Sequence, residues 1–221
     1  MFTSYYDDFS FITNDPAFAN SIAQGQSEPY PYDIHIVRKY LNTFPERCQT
    51  YIDVGAHIGT TIAPYSRIFK NIVGFEANPQ TFEFLTKNIK NNNIDCRLEP
   101  FGLHERPCKG HIKRHSDANS GCFYFCEDEE GQIECKTLDQ YEFEDVDFIK
   151  IDTEGSELYV LKGAEHTIKK YKPLIQVECN SLSSSIFGIE TTSLVDYLQS
   201  LGYVLYNTGQ ANLFFYHPRI E

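Results

Sequence analysis

Apolar and polar positions alternate in blocks along the chain from residue 50 onward. Short apolar runs at residues 50–55 (TYIDVG), 71–77 (NIVGFEA) and 146–152 (VDFIKID) have the length and composition of buried strands. Each run is followed by a segment with helical spacing, of which residues 78–90 are the clearest example. Alternation of this kind predicts an α/β fold in which helices cover both faces of a parallel sheet.

Two regions depart from this rhythm. Residues 104–138 contain short apolar stretches joined by polar turns, which predict a small β insertion. Near the end, residues 203–207 (YVLYN) and 212–216 (NLFFY) flank the segment TGQA and predict a hairpin. Because the strands of a hairpin run in opposite directions, we expect a mostly parallel sheet with a terminal antiparallel hairpin.

The N-terminal segment has weak periodicity and is rich in aromatic residues, Asp, Asn and Pro. The two prolines of SEPYPYD break regular structure, so residues 1–32 are predicted to form an irregular arm with a short helix at most. Asp33 is then expected to cap a helix through IHIVRKYLNTF. The arm and a single domain over residues 33–221 account for the whole chain.

Composition narrows the class of protein. The 221 residues are 41% hydrophobic and 23% charged, which suits one globular domain with a sizeable core. No apolar run approaches the roughly 18 residues of a membrane span. The first residues lack the basic and apolar regions of a secretory signal, so we expect a cytoplasmic protein. The formal net charge of −12 repels phosphate backbones and argues against long nucleic-acid substrates.

The chain has seven cysteines, and without a secretory signal they are expected to be reduced thiols. Only Cys122 and Cys126, within GCFYFC, have a spacing that suits a structural zinc site. The same spacing places both on one face of a strand. Buried strand thiols are therefore favoured over a zinc site.

The first stretch that carries chemistry is YIDVGAHIGT, where a strand ends at Asp53 and the chain turns on Gly55 and Gly59. A dinucleotide site requires G-x-G-x-x-G, whereas here Ala56 and His57 lie between the glycines. A nicotinamide cofactor is therefore disfavoured. An acid before the first glycine suits the amino acid end or the sulfonium of S-adenosylmethionine.

The end of the second strand adds a partner for the same cofactor. Glu76 stands there, and a carboxylate in this position can accept both hydroxyls of a ribose. Ligands of parallel sheets bind beyond the carboxyl ends of the strands. We therefore expect Glu76 and the glycine turn to face one nucleoside.

A second acidic group follows the strand VDFIKID. Asp152, Glu154 and Glu157 cluster at its end, and Glu178 ends the next apolar strand. Acids at a helix start are often no more than solvated partners of the helix dipole, which explains Glu154 and Glu157. That explanation suits Asp152 and Glu178 poorly, because both end strongly apolar strands.

These stretches, together with NPQTFEFLTKNIKNNN and KIDTEGSELYVLKGA, resemble the FkbM family of S-adenosylmethionine-dependent methyltransferases over about residues 48–180. The resemblance implies the class I methyltransferase (Rossmann-like) fold and methyl transfer to a hydroxyl oxygen, commonly on sugars. It also implies that ANSGC at residues 118–122 lies near the cofactor, and that His57 replaces an Asn frequent in the family. The residues that fall on the cofactor motifs are Asp53, Gly55, Gly59, Glu76 and Asn78.

The resulting hypothesis is an O-methyltransferase that converts S-adenosylmethionine to S-adenosylhomocysteine and methylates a carbohydrate, either a glycan or a deoxysugar such as rhamnose. Asp152 is the first candidate for the base or orienting group, and it also favours the sulfonium electrostatically. Glu178 is the second candidate and Glu154 the third. His57 and His115 are acid–base alternatives by pKa. Lys150 is expected to extend to solvent or to pair with an acid.

Other functions stay open at this point. The acceptor could instead be a lipid, a polyketide or a nucleotide ribose, and a non-catalytic scaffold would keep the fold without the chemistry. Asp152, Glu178 and Asn180 could hold a divalent metal through oxygen, but no second aspartate stands beside Asp152, so a metal is not favoured. The sequence does not predict an oligomeric state.

Overall fold

The structure, a computed structural model, describes residues 1–26, 31–114, 123–179, 188–209 and 211–218. In chain order its strands are β1 (Phe2–Tyr6), β2 (Phe9–Thr13), β3 (Thr50–Val54), β4 (Asn71–Phe75), β5 (Arg97–Glu99), β6 (Gly102–Leu103), β7 (Cys108–Arg114), β8 (Phe123–Glu127), β9 (Ile133–Lys136), β10 (Val146–Ile151), β11 (Leu174–Glu178), β12 (Val204–Thr208) and β13 (Asn212–Tyr216). Its helices are α1 (Pro16–Ala23), α2 (Pro31–Thr43), α3 (Ile62–Tyr65), α4 (Pro79–Asn91), α5 (Glu157–Lys162), α6 (Glu165–Tyr171) and α7 (Thr191–Ser200), with a 3₁₀ turn at Leu138–Gln140.

The main sheet has the order β12-β13-β11-β10-β3-β4-β5. Strands β11, β10, β3, β4 and β5 run parallel, and β13 runs antiparallel to both β11 and β12. The predicted mostly parallel sheet with a terminal antiparallel hairpin is therefore confirmed. The order of the strands reverses between β3 and β10, and a ligand crevice forms at such a switch point.

Helix α4 shows how the sequence sets the local structure. Its N-cap Asn78 accepts a hydrogen bond from the backbone N–H of Gln80 at 3.0 Å, and Pro79 occupies the first position, where a missing N–H is tolerated. Leu85 and Ile89 are buried against the sheet. The helix thereby covers the face of the sheet next to the turn that follows β3.

Two predicted elements are divided in the structure. The apolar stretch at residues 95–103 (DCRLEPFGL), whose pattern predicts a single strand, is divided between β5 in the main sheet and β6 in another sheet, because Pro100 between them cannot donate a ladder hydrogen bond. The single helix that SELYVLKGAEHTIKKY predicts is likewise divided into α5 and α6, with Gly163 between them. A β-carbon on Gly163 would overlap the carbonyl oxygen of His104, so this point of close contact requires glycine.

A second sheet with the order β6-β9-β7-β8 occupies the region of the predicted β insertion. It extends slightly beyond residues 104–138, because β6 belongs to it. The Cys108 and Cys135 positions lie directly opposite each other on β7 and β9. Burial raises the pKa of both thiols above the usual value for cysteine, which favours their neutral form. Cys122 lies outside the described residues, so its predicted proximity to Cys126 stays a prediction.

The N-terminal segment differs from the predicted irregular arm. Strands β1 and β2 form an antiparallel hairpin, and α1 follows with Asp15 as its N-cap and Pro16 at its first turn. The physical reason is the alternation within β2, which buries Phe9, Phe11 and Thr13 on one side. From here on, "arm" means residues 2–26, the part of the predicted arm that contains β1, β2 and α1.

Helix α2 also differs from its prediction, since it begins at Pro31 and Asp33 lies inside its first turn. Asp33 is buried and accepts a hydrogen bond from the side-chain amide of Asn212 at 2.8 Å. The aspartate therefore joins α2 to the terminal hairpin. Among the helices that the structure describes, none is both long and apolar enough to cross a bilayer.

Candidate functional site

A cavity of about 470 Å³ opens at the carboxyl ends of the central strands. This volume falls within the range of small-molecule sites, about 300–1,000 Å³. Most of the predicted site residues line it, and they come from the turns after β3 and β4 and from the ends of β10 and β11. They are Gly55, Ala56, His57, Glu76, Asn78, Asp152, Glu154 and Glu178.

The turn after β3 brings two strand ends into unusually close contact. Gly55 has a φ of +84°, and a β-carbon there would overlap the carbonyl oxygen of Asp152. The backbone N–H of Asp152 donates to the carbonyl of Val54 at 2.9 Å, which ties β10 to β3 at this level. Only glycine fits here, and its bare backbone forms part of the cavity wall.

Glu76 joins the turns after β3 and β4. Its Oε2 accepts from the backbone N–H of His57 at 2.9 Å, and its Oε1 accepts from the backbone N–H of Asn78 at 2.8 Å. Burial raises the pKa of Glu76 to about 7 despite these two donors. A carboxylate has about four lone-pair sites, so each oxygen can still accept a further hydrogen bond from a ligand.

His57 takes the left-handed conformation, with a φ of 49°. Its ring lies edge-on to Phe18 of α1, with 4.7 Å between the ring centroids and 76° between their planes. Burial lowers the pKa of the imidazole to about 4. His57 is therefore neutral at physiological pH and is a poor candidate for a titrating acid or base.

Two residues that the sequence predicts as cofactor contacts, Asp53 and Gly59, do not line the cavity. Asp53 is fully buried beneath it, where the Thr61 hydroxyl donates to Oδ2 and the Lys150 Nζ lies 3.9 Å from Oδ1. Gly59 has a φ of +91° and faces Leu85 of α4. The structure gives both residues a supporting position behind the turn.

The acidic end of the cavity consists of Asp152, Glu154 and Glu178, each of which offers a carboxylate oxygen within 4.8 Å of the other two. The Nζ atom of Lys150 lies 2.9 Å from Oδ2 of Asp152. The prediction that Lys150 pairs with an acid is confirmed. With 2% of its side chain exposed, Lys150 does not extend to solvent. Three acids around one cation leave an excess of negative charge at this end.

The charges of Asp152 and Glu178 are set by their surroundings. Burial would raise the pKa of Asp152, but the Lys150 ammonium and the hydrogen bonds from Lys150 and Glu178 outweigh it and hold that pKa below its usual value. Burial and the charge of Asp152 raise the pKa of Glu178 well above its usual range. The pair thus holds one proton at neutral pH, on Glu178, and Asp152 is ionised.

Glu157 has a different role from its acidic neighbours. Its Oε1 accepts from the backbone N–H of Thr153 at 3.0 Å, from that of Gly155 at 3.0 Å and from the Thr153 hydroxyl at 3.2 Å. These bonds organise the turn that leads into α5. The explanation of this acid as part of a helix start therefore suits the structure.

Sequence reasoning missed the remaining walls of the cavity. Helix α1 contributes Phe18 and Ser21, and the second sheet with the segment before it contributes Phe101, Phe123 and Phe125. Phe123 and Phe125 fall in GCFYFC, directly after the ANSGC segment that the family resemblance implies near the cofactor. That segment and the aromatic content of the arm were the available signals. His115, ANSGC at residues 118–122 and Asn180 lie outside the described residues.

A sheet of this strand order, with a nucleoside-sized cavity at the switch point and a carboxylate ending β4, is typical of class I methyltransferases. Residues 53–205 match the family described as the methyltransferase FkbM domain, and the chain belongs to that family. This membership confirms the class of S-adenosylmethionine-dependent methyltransferases that the motifs indicated.

Solved structures agree with this fold. The FkbM methyltransferase of Methylobacillus flagellatus KT is 19% identical, with a TM-score of 0.51, and the match covers 77% of this chain and 43% of that one. The T. thermophilus 16S rRNA N2 G1207 methyltransferase, solved with AdoMet and guanosine, is 13% identical with a TM-score of 0.53. That match covers 99% of this chain and 50% of the other, so the chain spans half or less of both proteins. No curated protein has a matching sequence.

Proposed function

We propose that the chain is an O-methyltransferase that transfers a methyl group from S-adenosylmethionine to a hydroxyl of a carbohydrate. The observation that carries the proposal is the close approach of Asp152 and Glu178, whose carboxylate oxygens lie within 4.8 Å of each other in the same cavity as Glu76. One end of the cavity is thus suited to a ribose and the other to a hydroxyl that must lose a proton.

The residues of the cavity fit the cofactor. Glu76 is held by two backbone donors and can accept hydrogen bonds from the ribose hydroxyls. Gly55, Ala56, His57 and Asn78 supply the adjoining wall. Asp53 would act from beneath, by holding Thr61 and Lys150 in place. When bound, the cofactor supplies an electrophilic methyl group on sulfur.

Asp152 would receive the acceptor hydroxyl. Its ionised carboxylate would accept the hydrogen bond of the hydroxyl and aim the oxygen lone pair at the methyl group. It would take the proton as the carbon–oxygen bond forms and the methyl–sulfur bond breaks, with S-adenosylhomocysteine as the leaving group. Glu178 is the protonated partner and steadies the charge of Asp152 through their hydrogen bond. Holding both reactants at attack distance would supply much of the acceleration.

A sugar suits the surroundings of this pair. Phe101, Phe123 and Phe125 lie along the same cavity and offer apolar faces for a sugar ring. Oε2 of Glu178 is buried and accepts no hydrogen bond from the residues that the structure describes, so a second hydroxyl of a polyol can donate to it. Glu154 at the rim can accept another. Several acceptors beside aromatic rings suit the hydroxyl donors and the apolar ring face of a glycan or a deoxysugar such as rhamnose.

RNA is the main competing acceptor, because the T. thermophilus neighbour is an rRNA methyltransferase. The formal net charge of −12 and the acidic end of the cavity count against a phosphate-rich substrate. A lipid, a polyketide or a nucleotide ribose would meet the same base. A metal held by Asp152, Glu154 and Glu178 would compete with Lys150 for Asp152 and is not part of the proposal.

The test is methyl transfer to a panel of free sugars, glycans, nucleosides, a short RNA and lipid alcohols, scored by mass spectrometry for the addition of one methyl group. We expect product with a carbohydrate only, in the presence and absence of a chelator. An Asp152→Asn enzyme is the control for adventitious methylation. Product with RNA alone would overturn the carbohydrate acceptor. Product that disappears when chelator is added would overturn the metal-free chemistry.

A further inference from the structure

The arm reaches the cavity although it lies outside the family match, which begins at residue 53. Its β2 strand lies along helix α4, and its α1 helix contributes Phe18 and Ser21 to the cavity lining. A salt bridge also joins the arm to the domain, since Arg67 Nη2 lies 3.0 Å from Oδ2 of Asp8. The arm is thus docked on the domain and completes a wall of the site.

Two asparagines beside β2 provide the docking, Asn88 on α4 and Asn92 at the C-cap of that helix. Asn88 accepts from the backbone N–H of Ile12 at 2.7 Å and donates to the carbonyl of Ile12 at 3.1 Å. Asn92 accepts from the N–H of Ser10 at 2.9 Å and donates to its carbonyl at 2.7 Å. Together these side chains satisfy the edge of β2 as a neighbouring strand would.

Asn88 also connects the arm to the turn that forms the site. It is fully buried, and its amide donates a further hydrogen bond to the carbonyl of Ile58 at 3.0 Å. Ile58 lies between His57 and Gly59, so one side chain sets the position of β2 relative to the glycine turn. Helix α1, which follows β2 in the chain, is placed by the same contacts.

Phe18 is the residue of α1 that contacts the turn after β3. Its ring lies edge-on to the His57 ring, with 4.7 Å between the centroids, and the backbone N–H of His57 donates to Oε2 of Glu76 at 2.9 Å. This contact places α1 beside the part of the cavity that we assign to the ribose.

We infer that α1 closes the nucleoside side of the cavity, with Phe18 as a binding residue for the adenosine part of the cofactor and Asn88 as the positioning residue for the arm. The inference rests on the proposed function for its ligand. It assigns the arm a share of the affinity for the adenosine part.

The experiment measures binding of S-adenosylhomocysteine and of adenosine to the full chain by calorimetry. For Phe18→Ala we expect S-adenosylhomocysteine and adenosine both to bind about tenfold more weakly, equivalent to about 1.4 kcal/mol. Phe18→Leu, which keeps apolar bulk and protects folding, should lose less. No loss for either ligand, or a loss for S-adenosylhomocysteine alone, would overturn the inference.

Asn88→Ala tests the positioning role, with Asn91→Ala on the exposed side of the same helix as the matched control. Asn88→Ala should show the same loss for both ligands and faster hydrogen exchange at the Ile12 amide, whereas Asn91→Ala should show neither. If the unaltered chain bound adenosine but not S-adenosylhomocysteine, the proposed function would fail and this inference with it. Normal binding by the unaltered chain with unchanged variants would refute the role of the arm alone.

Discussion

The Nζ atom of Lys150 lies 2.9 Å from Oδ2 of Asp152, although Lys150 is buried in the middle of the sheet. Strand register explains the arrangement, because Lys150 on β10 pairs with Asp53 on β3. Its ammonium therefore lies between a fully buried aspartate and the proposed base. An ion pair inside a protein compensates the cost of burying both charges only while both partners are present.

Replacing this lysine should harm both stability and chemistry. Lys150→Met leaves the buried carboxylate of Asp53 and the partly buried carboxylate of Asp152 without their cation, and we expect a loss of about 3–5 kcal/mol in the free energy of unfolding. Since Lys150 lowers the pKa of Asp152, its removal should shift the acid limb of the activity profile to higher pH. Urea titration and the pH dependence of kcat measure the two effects.

A second substitution separates charge from packing. Lys150→Met combined with Asp53→Asn restores the net charge of the group, so the double variant should recover much of the lost stability. If the losses caused by Lys150→Met and by Asp53→Asn simply add in the double variant, Lys150 and Asp53 are not coupled. The buried network would then not explain the ionisation of Asp152.

The two carboxyls of the site should respond differently to the same change. Asp152 is ionised, so Asp152→Asn removes the proton acceptor and should lower kcat by about 100-fold or more. Glu178 is protonated, so Glu178→Gln keeps its shape and its donor and should retain activity within about fivefold. Steady-state kinetics with the sugar acceptor compare the variants. The reverse ranking would assign the base to Glu178.

Cofactor affinity should depend on pH through Glu76. Burial raises the pKa of Glu76 to about 7, so the empty site carries a neutral carboxyl below that pH and a carboxylate above it. Ribose hydroxyls donate to the carboxylate, so binding lowers this pKa and affinity increases with pH. Between pH 6 and 8 we expect binding of S-adenosylhomocysteine to tighten by about tenfold.

Calorimetry across this range tests the effect, with Glu76→Gln as the control. That variant should bind weakly and show no dependence on pH. His57 does not confuse the result, because burial lowers its pKa to about 4 and it stays neutral throughout. A slope that persists in Glu76→Gln would locate the titrating group elsewhere.

Local sequence patterns predicted the sheet and much of the site for a physical reason. In a parallel sheet the residues that follow apolar strands meet at one edge, so Glu76, Asp152 and Glu178 could be placed together from the sequence alone. Asp53 could not be placed in the same way. Strand β3 is buried on both faces, so its pattern does not reveal which way a side chain points, and the pairing with Lys150 depends on the register of another strand.

The arm shows the limit of such reasoning more clearly. The alternation of FSFIT is a strand signal, but it spans only five residues. What holds the hairpin is Asn88, 76 positions away from Ile12 in the chain. Because side-chain amides make these docking contacts, the sequences of β2 and α4 carry no periodic pattern that reveals them. The contribution of Phe18 to the cavity follows from that docking and could not be predicted.

At Gly55, backbone conformation and close contact can be separated by comparison with another glycine. Gly188 has a φ of +64°, and no atom of the residues that the structure describes lies within 4 Å of the position that a β-carbon would take. Gly188→Ala should therefore cost only the strain of a left-handed residue, about 1–2 kcal/mol. Gly55→Ala adds an overlap with the carbonyl of Asp152 and should cost at least about 3 kcal/mol or prevent folding. Urea denaturation followed by circular dichroism compares the variants, and equal losses would show that β3 and β10 separate easily at the site.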